Sequence, residues 1–149
     1  MSPMPVKTVT KLIDESPFFK ELDEETRELL SSKCKLKAFM EGQVLTREGD
    51  STKDVFLINR GEVVVKSHVA EGEEEVVLAI LKEGQIVGEV SAAMGVPRTS
   101  TVEALDMVEV VVIPVETLEE VMDRHPEVKA RLVETVAERA TEAMHKVQK

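Results

Sequence analysis

Two charged side chains nine positions apart, Glu89 and Arg98, could act together on one small ligand. The residues between them are mostly small and read as the start of a short helix, whose free N–H groups and partial positive charge favour a phosphate. A guanidinium can bind two phosphate oxygens, and a carboxylate can accept a hydrogen bond from a sugar hydroxyl. The pattern therefore suits a ligand with both a hydroxyl and an anionic phosphate. On spacing alone, a solvated surface ion pair is the slightly simpler interpretation.

The backbone of the same segment also suits a bound phosphate. Gly88 has no Cβ, so the chain there can approach a ligand closely. Gly95 can end a short helix with a positive φ. Pro97 holds the chain extended just before Arg98. The predicted helix would therefore be short, with the arginine directly after its turn.

Residues 88–102 resemble the phosphate-binding cassette of the cyclic nucleotide-binding domain family. That family includes the regulatory subunits of protein kinase A, the bacterial catabolite activator protein and cyclic nucleotide-gated channels. The resemblance covers most of the chain, from about Leu12 to the C-terminal helix, because further segments follow in the family's order. These segments are Ser16-Pro17-Phe18-Phe19, Gly42-Gln43-Val44-Leu45, Arg47-Glu48-Gly49-Asp50, Phe56-Leu57-Ile58, Gly61-Glu62-Val63, Glu83-Gly84-Gln85 and His125-Pro126-Glu127.

The resemblance implies that the ligand is cAMP or cGMP and assigns roles to residues of the cassette. Glu89 would hold the ribose 2′-hydroxyl, and Arg98 would pair with the cyclic phosphate. The other predicted site residues would supply main-chain donors or shape the wall beside the ribose. The donors are the N–H groups of Ser91 and Thr99, and the wall residues are Gly88 and Val90.

Two positions of the cassette leave questions open. Thr99 could contact the guanine amino group, as a threonine does in some family members that accept cGMP, or it could be an ordinary β-branched strand residue. The choice between cAMP and cGMP therefore stays open. Ala92 stands where the family usually has a larger apolar residue that helps couple the cassette to the C-terminal helix. Either this coupling is weaker here, or Met94 or a neighbour fills the space.

Length and composition predict a single domain with no affinity for nucleic acid or membrane. The chain has 149 residues, of which 42% are hydrophobic, and its 29 acidic and 19 basic residues give a net charge of −10. This charge opposes binding to polyanions. The single cysteine, Cys34, cannot form an internal disulfide, and the N-terminus lacks the apolar segment of a signal peptide. We therefore predict a cytoplasmic protein.

The hydrophobic pattern predicts a mainly β domain with flanking helices. Residues 1–34 would be helical, residues 35–114 would form a jelly-roll β-barrel (a double-stranded β-helix) that carries the cassette 88–102 with its short helix, and residues 115–149 would be helical again. Asp23 is a predicted helix N-cap. A hairpin tip would carry acidic residues. The tip acids are Glu71, Glu73, Glu74 and Glu75. The strand candidates are Val44–Thr46, Val55–Ile58, Val63–Val65, Val76–Leu81, Thr101–Val102 and Val108–Ile113.

Apolar residues at spacings of three and four mark one side of the last predicted helix. They are Val133, Val136, Ala140, Ala143 and Val147. The favoured interpretation is a helix packed on its own barrel. The alternatives are a seam that binds a second copy or a protein effector, and a lid over the base. Leu132 and Met144 flank the seam and could meet the base.

No pattern in the sequence supports an enzyme. His68, His125 and His145 are scattered, so a cupin-type metal site is not predicted, and no nucleophile has an evident histidine partner. We predict no cofactor and no metal. The predicted function is a sensor that converts cyclic nucleotide binding into repacking of its C-terminal helices. The alternative is an interaction module that retains only the fold. A complete chain of this length would be a stand-alone sensor without a fused effector domain.

Overall fold

In the part of the chain that the structure describes, eight strands form two four-stranded antiparallel sheets, and five helices lie before, within and after them. The computed structural model describes residues 9–68 and 74–147 of the chain. The strand order is β1-β8-β3-β6 in one sheet and β2-β7-β4-β5 in the other. The elements are α1 (Val9–Glu15), α2 (Glu24–Lys33), β1 (Lys35–Phe39), β2 (Val44–Thr46), β3 (Val55–Arg60), β4 (Val63–His68), β5 (Glu75–Leu81), β6 (Ile86–Val87), α3 (Glu89–Met94), β7 (Thr101–Ala104), β8 (Val108–Ile113), α4 (Val115–Arg124) and α5 (Pro126–Val147).

The predicted jelly-roll architecture with flanking helices is confirmed, with two separate sheets rather than one closed ring of strands. Local signals also place the helices. The Asp23 carboxylate accepts a hydrogen bond from the Thr26 N–H at 3.1 Å and caps α2 as predicted. Within the predicted acidic tip, Glu71 and Glu73 lie outside the described residues, and Glu75 lies 3.5 Å from the Lys66 ammonium.

Two strands were missing from the sequence prediction. β1 carries two lysines in five residues and lies at a sheet edge, where charged side chains are common because they discourage pairing with other chains. β6 has only two residues, too few to show a period. Both strands matter to the site, since β6 leads directly into α3 and β1 completes the sheet that carries β3.

The core has two parts, and one of them fixes the helices to the sheet that carries β3 and β8. One part fills the space between the sheets, around Ile58, Val63 and Val110. The other joins the helices to the outer side of β3 and β8 and includes the fully buried Leu118 and Leu132. Burying a side chain of this size contributes about 1.5–3 kcal/mol. The first part of α5 is therefore firmly held, and its later turns extend toward the cassette.

Cys34 is a buried part of this core. Burial raises the pKa of its thiol to about 12, so the thiol stays neutral at physiological pH. A neutral thiol is a poor nucleophile, and Cys34 is therefore a packing residue.

Candidate ligand-binding site

A cavity of about 290 Å³ lies between the sheet that contains β4 and β5, the cassette helix α3 and the C-terminal helix α5. The structure brings all six predicted site residues to its wall. They are Gly88, Glu89, Val90, Ser91, Arg98 and Thr99. The other lining residues are Thr46, Val65, Leu78, Ala79, Leu81, Val87, Ser100, Val102, Val136, Arg139, Ala140 and Ala143.

Two glycines shape the cassette, as its sequence predicts. Gly88 precedes α3 with φ 89°, and Gly95 ends it with φ 68°, where its N–H bonds to the Ser91 carbonyl at 2.9 Å. The conformation of Gly88 is one that other residues rarely adopt. A Cβ at Gly88 would lie 2.7 Å from Arg98 Nη1 and 3.0 Å from the Asp54 carbonyl oxygen. Only glycine therefore lets the cassette and the arginine come so close.

The Arg98 side chain is only 5% exposed and is held by neutral acceptors. Nη2 donates to the Asp54 carbonyl at 2.7 Å, Nε to Thr52 Oγ1 at 3.3 Å and Nη1 to the Gly88 carbonyl at 3.4 Å. The guanidinium carbon also lies 5.9 Å from the centre of the Phe56 ring. These contacts fix the plane of the guanidinium at the cavity wall and leave two of its five N–H groups for other acceptors.

No ion pair among the described residues neutralises Arg98. Burial lowers the pKa of its guanidinium, and the more distant carboxylates of Asp54, Asp50 and Glu89 oppose this change. An arginine nevertheless stays charged in proteins. A buried cation without a paired anion is costly, so the cavity beside Arg98 is a favourable place for a small anion.

Glu89 forms an ion pair that the sequence analysis did not foresee. Its Oε2 lies 2.8 Å from Arg139 Nη1 of α5, and the two side chains are 8% and 19% exposed. Arg139 Nη1 also donates to the carbonyl of Ile86, just before the cassette. The available signal was an arginine on the apolar side of α5, between Val136 and Ala140. A carboxylate can accept several hydrogen bonds, so this pair still leaves Glu89 capacity for a ribose hydroxyl.

Replacing Arg139 with glutamine should lower the free energy of unfolding by about 2 kcal/mol, because it leaves the buried Glu89 carboxylate without its cation. Urea denaturation would measure the change. Arg124→Gln is the matched control, since Arg124 also pairs with a glutamate at 3.0 Å but is 58% exposed. The control should lose no more than about 0.5 kcal/mol. Equal losses in the two variants would show that burial does not strengthen the Glu89–Arg139 pair.

Three side chains differ from their predicted positions around the cavity and the cassette. Leu132 is fully buried in the helical core and Met144 is 60% exposed, so neither lines the cavity. The face of α5 that lines it carries three of the predicted seam residues instead, Val136, Ala140 and Ala143, whereas the seam residue Val133 is 42% exposed. Met94 is exposed and does not fill the space beside the buried Ala92. The described cavity walls hold no aromatic ring, so a base would meet aliphatic groups.

Thr99 lies at the exposed rim of the cavity. Its carbonyl accepts a hydrogen bond from Ser67 Oγ at 3.0 Å, which fixes the main chain beside Arg98. Within the described residues, no group of three or more His, Cys, Asp or Glu side chains could hold a metal ion. In the same part of the chain, none of the helices combines the length and apolar character that crossing a membrane requires.

Sequence and structure comparisons relate the chain to known proteins. A sequence model of the cyclic nucleotide-binding domain matches residues 36–125, which is more than half of the chain. The acetyltransferase Pat of Mycolicibacterium smegmatis is 39% identical over 67 residues, which are 45% of this chain and 20% of that protein. The chain spans a fifth or less of the length of the curated relatives it matches.

Two solved structures show the same fold. The regulatory domain of Toxoplasma gondii protein kinase A, crystallised with cAMP, matches with a TM-score of 0.80 and 16% identity over 87% of this chain and 49% of that one. The catabolite activator protein of Thermus thermophilus matches with a TM-score of 0.72 and 26% identity over 89% of this chain and 62% of that one. The predicted resemblance is therefore confirmed at the level of sequence family and fold.

Proposed function

The chain belongs to the cyclic nucleotide-binding domain family, and from this premise we propose that its cavity binds a cyclic nucleotide, cAMP or cGMP. The observation that carries the proposal is the buried guanidinium of Arg98, which lines the cavity without an ion-pair partner among the described residues. A cyclic phosphate has a single negative charge and would neutralise it. The predicted main-chain donors, Ser91 and Thr99, flank the same space.

The cavity offers groups for both parts of such a ligand. Glu89 supplies an acceptor for a hydroxyl, and Arg98 supplies hydrogen-bond donors for a phosphate. Val65, Leu78 and Val136 supply apolar surface for the base. We propose for the six predicted site residues the roles that the resemblance implies. We also propose that residues 1–149 form one domain, made of the three predicted segments. The cytoplasmic location, the absence of a cofactor and the absence of catalysis stay predictions.

The proposed output is a change in how the C-terminal helices pack. α5 contacts the cavity through Val136, Arg139 and Ala140, and it pairs with Glu89 directly. A ligand that reaches both Glu89 and Arg98 would therefore meet α5. It shifts the helix only in so far as it binds one arrangement better than the other.

The exposed apolar side chains of α5 mark where a partner could bind. Val133 and Met144 are large apolar side chains exposed on this helix. These exposed side chains are the physical basis for the predicted homodimer or protein effector at the C-terminal helix. Binding of either partner stays a prediction.

The alternative, an interaction module without a ligand, also has an observation in its favour. An unpaired interior arginine would be costly in a chain that binds no anion, yet Arg98 finds three neutral acceptors and Glu89 finds Arg139. Both groups are thus tolerated in an empty cavity. Thermal unfolding separates the two functions, because a ligand that binds only the folded state raises Tm. We expect cAMP or cGMP at millimolar concentration to raise Tm; an unchanged Tm with both would favour the module.

Replacing Glu89 with alanine should abolish the preference for ribose over 2′-deoxyribose. A hydrogen bond to a carboxylate contributes about 1.5–3 kcal/mol, so the wild-type chain should prefer cAMP over 2′-deoxy-cAMP by about tenfold or more. The variant should bind both with similar, weaker affinity. Competition binding with the two nucleotides measures the ratio. If the variant retained the wild-type ratio, Glu89 would not contact the 2′-hydroxyl.

A further inference from the structure

Asp54 touches both the phosphate arginine of the proposed site and the first helix after the sheets. Its main-chain carbonyl accepts the shortest of the three hydrogen bonds that the Arg98 guanidinium donates, at 2.7 Å. Its carboxylate Oδ1 accepts a hydrogen bond from the Val115 N–H at 3.0 Å, across 61 positions of sequence. One residue thus contacts the cavity wall with its backbone and the start of α4 with its side chain.

The start of α4 depends on this carboxylate. The helix follows Pro114, which occupies the N-cap position and makes no side-chain capping bond. The first N–H groups of a helix have no intrahelical acceptor. Asp54, which immediately precedes β3, therefore supplies the acceptor that an N-cap side chain normally provides. Its negative charge also suits a helix N-terminus.

Asp54 has little freedom to move independently of either contact. The next residue, Val55, is fully buried and is in register with Ile113, which immediately precedes Pro114. On the other side, the Asp54 carbonyl lies so close to Gly88 that a Cβ there would come within 3.0 Å of it. A change in the position of the Arg98 guanidinium is consequently passed to Asp54, and through its carboxylate to Val115.

We propose that Asp54 is a positioning residue that couples Arg98 to α4. The proposal extends the proposed function, because it takes the ligand phosphate to act on Arg98. A phosphate that attracts the guanidinium alters the hydrogen bond between Arg98 and the Asp54 carbonyl. The hydrogen bond between the Asp54 carboxylate and the Val115 N–H changes in turn. Coupling between two sites is reciprocal, so the loss of the cap also weakens ligand binding.

Three variants of the full chain separate the two contacts. Asp54→Ala keeps the carbonyl and removes the carboxylate, whereas Asp54→Asn keeps an acceptor oxygen for Val115. Asp50→Ala is the matched control. The Asp50 carbonyl also accepts a hydrogen bond from Arg98, at its main-chain N–H and 2.8 Å, and its carboxylate also acts on the guanidinium charge. Among the described contacts of Asp50, none reaches α4.

The direct readout is amide exchange at Val115, measured by NMR without nucleotide. Loss of a helix cap costs about 1 kcal/mol, so the Val115 amide should exchange about fivefold faster in Asp54→Ala than in wild type. In Asp54→Asn and Asp50→Ala its exchange rate should resemble that of wild type. Arg98→Lys should also speed the exchange in the wild-type and Asp50→Ala backgrounds. It should have no effect in the Asp54→Ala background, where the link is already broken. Unchanged exchange at Val115 in Arg98→Lys would overturn the proposal.

The same exchange measurement with cAMP and cGMP tests whether a bound nucleotide acts on the Val115 amide through Asp54. The nucleotide that binds should slow exchange at Val115 in wild type and Asp54→Asn. It should have no effect on this amide in Asp54→Ala, where its Kd should also rise about fivefold by reciprocity. Equal slowing in Asp54→Ala would contradict the coupling. If neither nucleotide binds, the proposed function fails, and the Arg98→Lys comparison still decides whether Asp54 couples the two elements.

Discussion

Replacing Arg98 with lysine should weaken cyclic nucleotide binding by about 100-fold, although the positive charge is retained. A lysine ammonium is a point charge and cannot present two parallel donors to a phosphate. It also cannot reach Asp54, Thr52 and Gly88 together, as the guanidinium does. Each charge-assisted hydrogen bond contributes about 1.5–3 kcal/mol, so one or two lost bonds account for a loss of this size. Isothermal titration with the nucleotide that binds best measures it.

Arg47→Lys is the matched control for that variant. Arg47 is an exposed arginine that does not line the cavity, and its replacement should leave Kd within about twofold of wild type. Thermal unfolding of both variants verifies that they are folded. A Kd that is unchanged in Arg98→Lys would mean that the guanidinium does not bind the phosphate.

Replacing Gly88 with alanine should nearly abolish binding and also destabilise the fold. The added Cβ would lie 2.7 Å from Arg98 Nη1 and 3.0 Å from the Asp54 carbonyl, so the guanidinium must leave its position. In addition, φ at this position is 89°, and a left-handed conformation costs about 1–2 kcal/mol in an alanine. We expect binding to fall by about 100-fold or more, and titration together with urea denaturation measures both effects.

Gly84→Ala separates backbone strain from the steric effect. Gly84 has nearly the same φ, 88°, but a Cβ there would meet nothing within 4 Å. It should lose about 1–2 kcal/mol of stability from strain alone and keep its affinity for the nucleotide. If Gly84→Ala lost binding as strongly as Gly88→Ala, general destabilisation would explain the result and the contact with Arg98 would not.

The sequence predicts the fold well where local signals are strong. Asp23 and its first-turn acids predict the start of α2, and short apolar runs rich in Val, Ile and Phe predict β3, β4 and β8. β1 could not be found in this way, because its lysines reflect its place at a sheet edge, which only the assembled fold defines. The two-residue β6 is likewise created by pairing with Phe56 and Leu57.

The candidate site is predictable only in part, for a related reason. Residues 88–99 are close in sequence, so their arrangement follows from a short helix between two glycines. Arg139 is 50 positions beyond Glu89, and Asp54 is 61 positions before Val115. No local pattern links such pairs, since their contacts depend on how α5 and α4 pack on the sheets. The family resemblance predicts the ligand class for this chain, and the packing identifies which residues hold the helices to the cavity.

The most direct test of the account is a calorimetric titration of the full chain with cAMP, cGMP and adenosine. If Arg98 holds a cyclic phosphate, at least one of the two cyclic nucleotides binds with one-to-one stoichiometry, and adenosine, which has no phosphate, binds far more weakly. Arg98→Lys should then remove most of this difference. Equal affinity for the cyclic nucleotides and adenosine, or no heat with any of the three at micromolar protein, would contradict the claim that the buried arginine holds a cyclic phosphate.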